Sequence, residues 1–254
     1  MNAGILPQPE TKPMHSADLK IDPRRHSQAF TLVEMLVVIA IMSILMTAGA
    51  IGLGGMGGKG VTSGVASAES LFDEARSIAV GQRTRARVMI AKDLTNNPAD
   101  NLRRIVVASA EIDSVTGLEK SPENWILSSR GAVLPDQTYF SQEYSKKDKD
   151  DPKDPNGKID EIASLSGAKA SYAGSYYYYE FNAEGICTTP GAGFVIGAGS
   201  RKVNAAATDK PKVTSAGKRD FGGFVVWRNG RTSVFRSPTQ IDDDIKDLKT
   251  GAQF

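Results

Sequence analysis

Cysteine is nearly absent from this chain: Cys187 is the single one in 254 residues. No intrachain disulfide can form, so packing alone must hold the fold. Histidine is scarce as well. Both copies, His15 and His26, fall before residue 30. A chain shortened at that point would hold none, which excludes histidine acid–base catalysis, a Ser-His-Asp triad and histidine zinc sites. Net charge is also lacking, since 31 basic and 29 acidic side chains leave +2. Bulk attraction to nucleic acid or anionic lipid is not expected from that balance, although a local patch stays open. No spacing of carboxylates or lysines suggests catalysis, and the chain is not expected to be an enzyme.

What is present begins at the N-terminus. Residues 1–29 carry prolines at 7, 9, 13 and 23 and follow neither a helical nor a strand period. Arg24 and Arg25 close this segment. The sequence then turns apolar, from Phe30 to Leu53, with Glu34 as its one charge. A helix of about 20 such residues rises about 30 Å, enough to cross a bilayer core. Basic residues precede the run, and none follows before Lys59. The positive-inside rule places residues 1–29 in the cytoplasm and the remainder across the membrane.

Three readings compete for the run. A removable signal peptide has a small-residue pattern at Ala48-Gly49-Ala50. A plain membrane anchor needs only the length. Neither explains Glu34, a carboxylate that costs a few kcal/mol in an apolar setting unless paired. A cut between Ala29 and Phe30 would supply a partner, because the new α-amine lies one helical turn from Glu34. Arg24-Arg25, then Ala29-Phe30-Thr31-Leu32-Val33-Glu34-Met35-Leu36, resembles the prepilin cleavage and methylation motif of type IV pilins and type II secretion pseudopilins. The resemblance implies cleavage by a membrane peptidase after Ala29, methylation of the Phe30 amine, and subunit docking through Glu34. Ala29 stands where the family usually has glycine. The implied partners are other pilin subunits, the prepilin peptidase and an inner-membrane assembly platform. The implied location is the bacterial inner membrane, with the globular part periplasmic or in an extracellular filament.

The glycine-rich stretch 54–61 is predicted to break the helix, since each glycine costs roughly 1 kcal/mol relative to alanine. It reads as a hinge or a linker. Thr62 or Ser63 is predicted to cap a second helix with an apolar stripe at Val65, Ala68, Leu71, Phe72, Ala75, Ile78 and Ala79. After Gly81 the period changes to two, and a strand is predicted through Ile90. Further strands are predicted at 104–108, 125–127, 176–181, 194–196, 221–227 and 232–235, with a hairpin turn at Asn229-Gly230. The order predicts an α+β chain: leader 1–29, apolar helix 30–53, glycine-rich hinge 54–61, then an amphipathic helix and antiparallel sheet over 62–254. This body resembles the H-type minor pseudopilins, related minor pilins and a group of pilin-like proteins found in gene cassettes. The likeness is carried by AESLFDEARSIAV, YYYYEFNAEG and FGGFVVWRNGRTSVFR.

Two side sites follow. Asp154, Asn156, Asp160 and Glu161 partly match a calcium loop, but Pro152 and Ala163 occupy the first and twelfth ligand positions, so a complete EF-hand is excluded. An irregular calcium site and a solvated loop remain as alternatives. Arg228, Arg231 and Arg236 form a basic patch on the final hairpin, the expectation for a DNA-binding minor pilin. Tyr176–Tyr179 are predicted to lie on a strand with one face in the core and aromatic rings outside.

Overall fold

A computed structural model describes residues 31–54, 56–120, 123–147, 157–162, 165–202, 209–213, 220–235 and 238–241, without the side chains of 44–59 and 238. The chain divides into two compact units, Met1–Ala48 and Gly49–Phe254. The fold is α+β, with two helices and antiparallel sheets.

Helix α1 runs Leu32–Gly54. From Leu32 to Ser43 its polar side chains are Glu34 and Ser43 alone, and its apolar ones are exposed on every side, Leu32 at 83%. A helix apolar all round needs an apolar environment or other helices about it. The described side chains end at Ser43, a stretch rising about 18 Å. Among the described residues no helix is long and apolar enough to cross a membrane. The span expected over residues 30–53 therefore extends beyond what the structure describes.

Helix α2 runs Met56–Gln82, beginning earlier than the sequence predicts. Thr62 and Ser63 lie inside it rather than at its start, and Gly57, Gly58 and Gly60 are helical. Gly54 ends α1, and Gly55 lies outside the described residues. Close packing offsets the glycine penalty farther along. A Cβ at Gly64 would meet Ile196 Cδ1 at 2.8 Å. Across the interface, a Cβ at Gly222 would meet Val61 Cγ1 at 2.9 Å. These positions let helix and sheet backbones approach, which is a tertiary gain that local propensity does not register.

The predicted apolar stripe is the core-facing side of α2: Val65, Ala68, Leu71, Phe72, Ala75 and Ala79 are buried, Ile78 is partly buried against them, and Val61 extends the face by one turn. It covers two sheets. The first has strand order β3-β2-β1-β6-β5, formed by β1 (Ala86–Leu94), β2 (Arg104–Ala110), β3 (Trp125–Val133), β5 (Glu161–Ile162) and β6 (Gly174–Phe181). The second has order β4-β7-β8-β9, formed by β4 (Thr138–Phe140), β7 (Ala192–Ala198), β8 (Phe221–Val226) and β9 (Thr232–Val234). Phe72 sits where they converge. Its ring lies edge-on to Tyr179 at 5.1 Å and Phe224 at 5.0 Å between centroids, and also meets Phe181 and Phe194. Aromatic pairs of this geometry add about 0.5–1.5 kcal/mol each beyond area burial.

The first sheet is buried on both faces. Val88, Ile90, Ile105, Val107, Tyr177 and Tyr179 pack toward α2. Met89, Ala91, Val106, Ala108, Trp125 and Tyr176 pack on the far side, under Leu165 and Tyr172. This corrects the expectation of aromatic rings outside: Tyr176 is fully buried and Tyr178 packs against the same cluster. The covering segment belongs to no regular strand, so periodicity could not reveal it.

Candidate functional site

Thr31 is the residue at the head of α1. Its carbonyl accepts the first helical bond, from Met35 N–H at 3.2 Å. Its Oγ1 accepts Glu34 N–H at 3.2 Å, while its own N–H donates to Glu34 Oε2 at 3.5 Å. This Thr-x-x-Glu arrangement is a capping box, which satisfies two N–H groups that a helix start leaves open. The carboxylate also lies at the positive end of the helix dipole. Glu34 makes no ion pair among the described residues. Ala29 and Phe30, the expected cleavage and methylation positions, lie outside the described residues, so the proposed amine partner is not among the described contacts. Farther along, Ser43 Oγ donates to Ile39 O at 2.8 Å. That bond hides the one hydroxyl among the described apolar turns.

A second polar cluster escaped the sequence reading. Arg85 and Arg87 alternate with Ala86 and Val88, which marks a strand without saying what lies over the arginines. Arg87 is 6% exposed. Its guanidinium stacks between Trp125 and Tyr178, 3.7 and 3.8 Å from the ring centroids, and binds Glu180 through Nε and a terminal nitrogen, each at 2.7 Å. Arg85 holds Glu119 and Glu123 from the neighbouring loop. The hydrogen bond that the Arg85 guanidinium donates to Glu119 pushes its pKa further up, against its partial burial. Burial would raise Glu119, but Arg85's hydrogen bonds and charge outweigh it and hold the carboxyl below its ordinary range. Glu123 is lowered chiefly by the Arg85 hydrogen bond. With every charge partnered and no group left to donate or attack, this cluster fastens the loop to the sheet.

The calcium residues are only partly described. Asp154 and Asn156 lie outside the described residues. Asp160 pairs with Lys147 and Glu161 with Lys92, each at 2.5 Å. Beside Gly157 lies a cavity of about 300 Å³ whose charged lining is Lys146, Lys158, Lys210 and Glu143. Among the described residues no group of three or more His, Cys, Asp or Glu could hold a metal ion. Of the basic patch, Arg228 and Arg231 are exposed at the β8–β9 turn, and Arg236 lies outside the described residues. Of the four β6 tyrosines, Tyr176, Tyr177 and Tyr179 are buried. Burial pushes Tyr176 up to about 12 and raises Tyr177 and Tyr179 as well, and the Tyr179 hydroxyl donates to Gly193 O at 2.7 Å.

Residues 24–50 match the prokaryotic N-terminal methylation motif. The match covers Arg24, Arg25, Ala29, Phe30 and Glu34, and it supports a type IV pilin-like protein with a prepilin-type N-terminus. Neither a curated protein nor a solved structure matches the chain.

Proposed function

We propose that this chain is the precursor of a filament subunit of the type IV pilus or type II secretion kind. Cleavage after Ala29 makes Phe30 the N-terminus, and its amine is then methylated. The helix beginning there is held in the inner membrane until assembly. By sequence its apolar run, Phe30–Leu53, is long enough for that role. The observation that carries the reading is the head of α1: one carboxylate, Glu34, set by Thr31 on a helix with apolar side chains on every side. A lone charge in such a place asks for a cation, and the amine one turn away is the available one. Neighbouring subunits can exchange these partners, which fixes the axial register of packed helices.

Transfer from lipid to a bundle of like helices keeps the same side chains in apolar surroundings. The hydrophobic term is therefore close to balanced, and register comes from the single ion pair. The β-rich unit contributes the surface that distinguishes this subunit from others. Mass spectrometry of membrane-extracted protein tests the proposal. The expected species begins at Phe30 and carries a methyl group on its amine. A chain that begins at Met1 in cells with an active prepilin peptidase would overturn it, as would one that begins at Ile51.

A further inference from the structure

Three stretches that are remote in sequence meet around the cavity beside Gly157, about 300 Å³ in volume. The first follows β4. Its Ser141 N–H donates to Val195 O at 2.9 Å, Ser145 Oγ accepts Val195 N–H at 3.0 Å, and Lys146 O accepts Gly193 N–H at 2.8 Å, so β7 holds it in place. The second is pinned to the first, with Lys147 N–H to Gly157 O at 2.9 Å and Ile159 in the core. The third, residues 209–213, exchanges two bonds of 2.8 Å between Lys212 and Ser200 and buries Val213. Backbone bonds and buried side chains thus fix the walls of the cavity.

Each stretch brings a lysine to the cavity: Lys146, Lys158 and Lys210. None of the three makes an ion pair among the described residues. Lys147 and Lys92 do, and they take up Asp160 and Glu161, the described carboxylates of the stretch that partly matches a calcium loop. Among the described residues Glu143 is the one carboxylate in the lining. Three ammonium groups against one carboxylate give the wrong sign for a cation and the right one for an anion. Gln142 adds a donor: the Tyr177 hydroxyl donates to its Oε1 at 2.8 Å, which leaves the Nε2 group to donate elsewhere. Ammonium groups on flexible stems suit a tetrahedral phosphate, whereas the described lining has no arginine, whose paired N–H groups match a planar carboxylate. At about 30 Å³ for each water-sized atom, the volume takes about ten non-hydrogen atoms, the size of a diphosphate.

We infer that this cavity binds a small phosphate-type anion of diphosphate size, with Lys146, Lys158 and Lys210 on its oxygens and Gln142 donating to it. Binding needs only the folded β-rich unit, so its failure would leave the filament reading standing.

Isothermal titration calorimetry of the full chain in a non-ionic detergent at low salt tests it, with pyrophosphate, orthophosphate, citrate and calcium chloride as separate titrants. Pyrophosphate should bind tightest, orthophosphate and citrate more weakly, and calcium should give no binding heat. Lys146→Gln, Lys158→Gln and Lys210→Gln should each weaken pyrophosphate about 3- to 10-fold. Lys202→Gln, at an exposed lysine outside the cavity lining, should leave it unchanged. Glu143→Gln, which removes the opposing carboxylate, should tighten it. Pyrophosphate should also raise the thermal midpoint of the unaltered chain by mass action. Tighter binding of citrate or calcium than of pyrophosphate would overturn the inference, as would an equal loss in Lys202→Gln or no heat with pyrophosphate.

Discussion

Glu34 serves two roles that a substitution can separate. Glutamine at that position can still close the capping box, because the amide oxygen accepts the Thr31 N–H. It cannot neutralise an amine. Glu34→Gln should therefore leave helix content by circular dichroism unchanged and abolish polymer formation judged by shearing and pelleting. Polymer in normal amount would remove the ion pair from the mechanism. Arg87 offers a test of a different kind. Its deletion as Arg87→Ala leaves Glu180 poorly partnered and opens a gap between two rings, so urea denaturation should show a loss of about 3–5 kcal/mol. Replacing both partners, as Arg87→Met with Glu180→Leu, should recover much of that loss. Nothing in the sequence marked Arg87 as buried, because alternation says only which residues share a face. It does not say what lies on that face.

Helix α2 has no glycine at the position just past its end. Arg83 takes φ +52° just past its last residue, and Thr84 N–H closes the helix end on Ala79 O at 3.2 Å. A left-handed conformation of this kind costs a residue with a Cβ about 1–2 kcal/mol. Arg83 is exposed and makes no ion pair among the described residues. Arg83→Gly should thus stabilise the β-rich unit by about 1 kcal/mol, read as a higher thermal midpoint. Gly222→Val should do the opposite, by about 1–3 kcal/mol, because it drives Val61 and Val65 off the sheet. Each strand that the sequence predicts is present, and the Asn229-Gly230 turn joins β8 to β9 as expected. β4 and β5 were not legible, because three and two residues are too few to show a period. The glycine-rich start of α2 was misjudged for another reason: single-residue penalties count against a helix, while the close approach at Gly64 and Gly222 is a pairwise property.

In the molecule as a whole, stability should depend on acid. Glu119 and Glu123 are held below their ordinary values by Arg85. Glu111 is lowered by Lys120, and Asp113 by the N–H groups of Val115 and Thr116. A carboxyl whose folded value is depressed contributes stability above its unfolded value, about 4. That contribution is lost as pH falls through the folded value. Thermal midpoints should therefore be flat from neutral to about pH 5 and fall below about pH 4. Glu119→Gln should lower the neutral midpoint and flatten the acid limb, and an unchanged limb would detach this carboxyl from the effect. Glu34 stood out in the sequence because an apolar run makes one charge conspicuous. The contact of Arg76 with Gly185 was not legible, since 109 residues separate the two. The two tryptophans occupy contrasting places: Trp125 is 3% exposed against a guanidinium, and Trp227 is half open to solvent. The emission of this protein should accordingly contain two components, a blue one that vanishes only on unfolding and a red one quenched by added iodide.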